Sequence, residues 1–108
     1  DGQWMTLGIF ALVEGDETTS DDVFQLAVNP QGVLRGNYHN VKNKDMEPIT
    51  GSVDKKTQKA AWTIGADKTP VYEAGIANLT KDATPLLVHT ADGVRQVSLI
   101  RLEQPPQQ

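Results

Sequence analysis

Two histidines, His39 and His89, are the chain's only imidazoles. Zinc binding or acid–base work would need them to converge with a carboxylate, and Glu73 is the candidate. His39 falls on the polar side of an alternating run, which points to exposure. His89 is the discriminating residue. An enzyme would hold it within hydrogen-bond reach of Glu73 in a cleft; a scaffold would leave it facing solvent. No Ser-His-Asp spacing, phosphate-cradling glycine loop or paired carboxylates on one strand face accompanies them. The expectation is a protein that is not an enzyme, with no catalytic residue, no metal and no cofactor.

Other residue types invite narrower chemistry. Glu14, Asp16, Glu17, Asp21 and Asp22 could collect oxygens around Ca²⁺, but their spacing lacks the alternating ligands and sixth-place glycine of an EF-hand loop. Lys55, Lys56 and Lys59 could meet an anionic glycan or a lipid headgroup. Asp54 adjoins them, and a solvated turn explains the set more simply. Asn78-Leu79-Thr80 fits a glycosylation triplet that arises often by chance. Trp62 could floor a ligand pocket, yet it shares a strand face with Ala60 and Ile64, which reads as core. Tyr38 and Tyr72 fall on inner faces, where their hydroxyls need partners in a core or a pocket. Tyr38, Trp62 and Tyr72 are therefore the ligand-binding candidates.

Composition narrows the classes. The chain has 108 residues, enough for one domain, with 14 acidic and 10 basic side chains and a net charge of −4. No basic block offers a footprint for nucleic acid. No apolar run approaches the roughly 20 residues of a membrane-spanning helix. With no cysteine, disulfides, thiolate zinc sites and cysteine nucleophiles are excluded. The chain opens Asp1-Gly2 rather than with methionine, and the expectation is a domain cut from a longer exported chain.

The elements that must position these residues are strands, because the hydrophobic period is two. Phe24, Leu26 and Val28 alternate with Gln25 and Ala27. Leu34, Gly36 and Tyr38 alternate with Arg35, Asn37 and His39; Ala60, Trp62 and Ile64 alternate with Lys59, Ala61 and Thr63. Turn signals fall between the runs: "NPQG" at 29–32, "DKKTQK" at 54–59 and "ADG" at 91–93. Eight strands are expected near 4–13, 23–29, 33–40, 48–54, 59–65, 70–76, 85–90 and 94–102, with a short helical turn near 77–82. Even spacing without intervening helices predicts an all-β, small antiparallel up-and-down meander barrel, an open β-sandwich being the alternative. The expected barrel domain is 1–103, and Pro105 and Pro106 make 104–108 a disordered tail or linker. The expected core contains Phe10, Phe24, Leu26, Leu34, Val53, Trp62, Ile64 and Leu99.

Two resemblances add expectations. Gly2-Gln3-Trp4 at the start of the first strand and Arg101 in the last resemble the calycin pattern of lipocalins and avidins. That resemblance implies a barrel end plugged by Trp4 and Arg101, with the arginine packed over the indole. The polar biotin-binding set of avidins is not reproduced, so biotin is not implied. More extensively, "WMTLGIFALVEGD", "FQLAVNPQGVLRGNYHN", "GSVDKKTQKAAWTIG", "VYEAGIANLTKD" and "LIRLEQP" resemble the C-terminal domain of bacterial cell-surface proteins described as mu-protocadherin-like. This implies a cell-surface or extracytoplasmic location and a preceding low-complexity region, and it implies no activity. The calcium-binding motifs of cadherin repeats are not apparent.

The leading expectation is thus a non-catalytic structural or interaction module of a longer surface or exported protein. The alternative is small-molecule binding in the barrel interior. The partner would be a small apolar ligand or a surface protein, with no nucleic acid and no membrane span in this segment. Inward Gly8, Gly36, Gly51 and Ala60 fit either a hollow barrel or one filled by neighbouring rings.

Overall fold

The computed structural model describes residues 3–103. Eight antiparallel strands close into an up-and-down barrel, each paired with its sequence neighbour and the last with the first. They are β1 (Met5–Val13), β2 (Asp22–Val28), β3 (Val33–Asn40), β4 (Met46–Asp54), β5 (Lys59–Ile64), β6 (Val71–Gly75), β7 (Ala83–Thr90) and β8 (Gly93–Leu102). A single 3-10 turn, Asn78–Thr80, lies between β6 and β7, within the stretch where a helical turn was expected. The expected tail at 104–108, and Gly2 of the calycin-type tripeptide, lie outside the described residues.

Local chemistry sets the connections. Asn29 Oδ1 accepts from the Gln31 and Val33 amides at 3.1 and 2.9 Å, closing the β2–β3 turn. Asp54 Oδ1 accepts from the Lys56 and Thr57 amides at 2.8 and 3.2 Å, so the lysine-bearing β4–β5 turn is organised by its acidic residue. Lys59 leaves this turn to meet Glu73 at 3.5 Å.

The core runs along the barrel axis. Phe10, Phe24, Leu26, Leu34, Trp62 and Leu99 are buried as expected, joined by Ile49, Leu79, Leu86 and Val88. Val53 and Ile64 are only half-buried and pack against this core rather than within it. Alternation gives the inward face of a strand but not the depth along the axis. Burial of apolar area at roughly 25 cal/mol per Å² makes this axial column the main stabilising element.

The small inward residues do not hollow the barrel. Gly51 faces Trp62 across β4–β5, and a side chain there would collide with the Ala61 carbonyl oxygen and with the Cα and Cβ of Trp62. Gly8 has φ +146° beside a register shift in β1, and a side chain there would occupy the space of the Arg101 guanidinium. Gly51 thus lets the paired strand approach closely, whereas Gly8 makes room for the Arg101 guanidinium that fills one end of the barrel.

Candidate functional site

The filled end is closed by Arg101. Its Nη1 donates to the Leu7 carbonyl at 2.9 Å, its Nε to the Lys81 carbonyl at 3.3 Å, and its Nη2 to the Leu79 carbonyl. The guanidinium carbon lies 4.9 Å from the centre of the Phe10 ring. The 3-10 turn places fully buried Leu79 beneath the barrel, held by Thr84 Oγ1 donating to the Asn78 carbonyl at 2.6 Å. The expected packing of Arg101 over Trp4 thus gives way to Arg101 over Phe10. Trp4 precedes β1 and is 43% exposed, lining a shallow outer depression with Gln25, Arg35 and Asn37. The bulge at Gly8 opens the space that the guanidinium takes beside Phe10.

The opposite end is open, and aromatic rings floor it. Phe24 pairs with Tyr38 across β2–β3, and Trp62 pairs with Tyr72 across β5–β6. Barrel curvature brings the two pairs together. Phe24 meets Tyr72 at 5.1 Å and 63°, Trp62 at 5.9 Å and 80°, and Tyr38 at 5.9 Å and 50°. Trp62 and Tyr72 stack at 6.2 Å and 19°. Trp62 is 1% exposed and lies beneath the cavity; its Nε1 is buried with no hydrogen-bond partner among the described residues. Of the three ligand-binding candidates, Tyr38 and Tyr72 line the cavity and Trp62 supports its floor.

This cavity has a volume of about 310 Å³, at the lower end of the ordinary range for small-molecule sites. Phe24, Tyr38, Tyr72, Leu12, Ile64, Pro70 and Val88 form its apolar surface. Asp22, Glu47, Asp67, Glu14, Arg95, Thr69 and Thr90 form its polar one. Tyr38 donates its hydroxyl to Asp22 Oδ1 at 2.5 Å, and Asn40 Nδ2 donates to the same oxygen at 3.3 Å. Burial first, then the hydrogen bond to Asp22, pushes the Tyr38 hydroxyl up to about 12; Asn40 acts in the other direction. Burial, followed by the charge of Asp22, also raises Tyr72. Arg95 Nε lies 3.5 Å from Glu14 Oε1.

The histidines are elsewhere. His89 Nε2 lies 2.7 Å from Glu73 Oε1, within the reach that acid–base work requires, but the pair stands on the outer wall and does not line the cavity. Their side chains are 38% and 22% exposed. His39 is half-buried on the outer face of β3, not fully exposed. Among the described residues no group of three or more His, Cys, Asp or Glu is placed to hold a metal ion. No described helix is long and apolar enough to cross a membrane.

Compared with known proteins, the chain matches no family model, no curated protein and no solved structure.

Phe24 was expected only as core, Asp22 was weighed only within the acidic run as an oxygen donor, and Glu47, Asp67 and Arg95 were not singled out. Phe24 carried a signal, since its alternation with Leu26 places it inward, but its position one pair below the strand end sets it at the mouth. Glu47, Asp67 and Arg95 carried no signal, and the acidic run holding Asp22 did not indicate a cavity. The four come from β2, β4 and β8 near their ends and from the β5–β6 connection, and only closure brings them together.

Proposed function

We propose that this domain is a non-catalytic binding module that holds one small molecule in the open mouth of the barrel. The single observation that carries the reading is a cavity of about 310 Å³ with an aromatic floor at one end of an otherwise filled barrel. A filled barrel needs no such space, and closing it would take only larger side chains at the rim. The expectation that ranked a structural or interaction module first is therefore reordered, with the small-molecule reading leading. Absence of catalysis is part of the proposal, supported by the position of His89 and Glu73 outside the cavity.

Location at the cell surface or outside the cytoplasm is likewise proposed, and it rests on the sequence resemblance to the surface-protein domain. The calycin-type resemblance is supported by closure of eight strands and by a last-strand arginine over an aromatic ring, with Phe10 in the place of the indole.

The test is a nuclear magnetic resonance titration of the ¹⁵N-labelled domain with a set of single-ring molecules. Shifts confined to Asp22, Phe24, Tyr38, Ile64, Tyr72 and Val88 are the expected result. Shifts spread over the outer wall, or none, would contradict the reading.

A further inference from the structure

The charge around the mouth says which molecules it takes. Four carboxylates, Glu14, Asp22, Glu47 and Asp67, line the cavity against the one guanidinium of Arg95. Arg95 is spent on Glu14. Asp22 receives Tyr38 and Asn40, neither of which carries positive charge. Glu47 and Asp67 have no ion-pair partner among the described residues. An adjoining depression shares Glu14 and Asp22 and adds Glu17 and Asp21, so the negative potential extends along the approach.

We infer that the mouth binds an organic cation: an ammonium or similar group carried on one small apolar or aromatic body. The inference rests on the reading of the mouth as a binding site and supplies its chemical class. A neutral apolar guest would cover carboxylates without compensating them, and an anion would be repelled. A cation is compensated twice, by Glu47 and Asp67 at the rim and by the rings of Tyr38 and Tyr72, which line the cavity above the buried Phe24. Asp22 acts on Tyr72 as well as on Tyr38, so its field spans the floor. An organic cation is favoured over a bare inorganic one, since among the described residues no three of the carboxylates are placed to hold a metal ion together. The volume suits one ring with a short arm rather than an extended chain.

The experiment is calorimetric titration with three probes of one shape and different charge: phenethylammonium, 2-phenylethanol and phenylacetate. Phenethylammonium should bind tightest, roughly tenfold or more above the alcohol, as expected for a partly screened charge pair. Phenylacetate should bind weakest. A Glu47→Gln/Asp67→Asn double variant, its fold checked by thermal melting, should bring the ammonium down to the affinity of the alcohol. Equal binding of ammonium and alcohol to the unaltered domain would overturn the charge class while leaving the mouth as a site. Failure of all three would overturn the mouth reading and this inference with it. Binding of calcium chloride without binding of phenethylammonium would overturn the organic cation in favour of an inorganic one.

Discussion

Tyr38 and Asp22, sixteen residues apart, meet hydroxyl to carboxylate at 2.5 Å on the inner face of β2 and β3. The bond ties the aromatic floor to the acidic rim and, after burial, adds to the upward shift of the Tyr38 hydroxyl. Its folded-state value, about 12, exceeds the ordinary 10.0, so the folded protein holds this proton more tightly than the unfolded chain. The associated stability is whole below pH 10, drains as pH rises between about 10 and about 12, and is gone above. Denaturation midpoints should fall across that window. An Asp22→Asn variant, followed by tyrosinate absorbance, should titrate Tyr38 lower, though still above its ordinary value because burial is the larger cause.

Trp62 supports the floor from below. Trp62→Ala should cost about 3–5 kcal/mol in urea denaturation, from lost burial and the cavity left behind. Trp62→Phe should cost clearly less, because it keeps an aromatic ring in the space while both variants remove the indole N–H buried without a partner. Equal losses from the two variants would contradict ring packing as the source of the stability that Trp62 contributes.

Arg101 closes the filled end through three carbonyls and one ring. Arg101→Lys keeps the charge but cannot reproduce the fork, and should lose about 1–3 kcal/mol, nearly as much as Arg101→Met. Thermal melts compare the three proteins. Full retention by lysine would reduce the role of Arg101 to charge alone.

Glu73 links three strands from outside, reaching Lys59 and His89. The hydrogen bond to His89 is the main cause holding its carboxyl below the ordinary 4.5, with Lys59 contributing. A depressed folded value means stability that is present above about pH 4.5 and lost as pH falls through the folded value. The effect is small, since the group is solvated. A carboxyl-carbon resonance titration should find the Glu73 midpoint below 4.5 and moving up in His89→Ala.

Strand order and turn chemistry were legible in the sequence because alternation is a local signal. The runs around Phe24, Tyr38 and Trp62 each announce an inner face, and "NPQG" and "DKKTQK" fall where the chain reverses. The inward placement of Tyr38 and Tyr72, which line the cavity, was legible for the same reason. The ring under Arg101 was not, because the bulge at Gly8 changes register within β1 and no periodicity announces it. Asp22, Glu47 and Asp67 belong to segments that read as polar connections, and their convergence is a property of the closed barrel. The hollow-or-filled question turned on which neighbour occupies each glycine, a contact between strands that no single strand records.

Native mass spectrometry tests the central claim most directly, comparing the unaltered domain with an Ile64→Trp variant that fills the mouth. The domain is exposed to a panel of small amphiphilic molecules, gently ionised, then denatured. The account predicts added mass on the unaltered domain that leaves on denaturation, and bare protein for the variant. Equal adducts on both proteins, or bare masses on both, would contradict it.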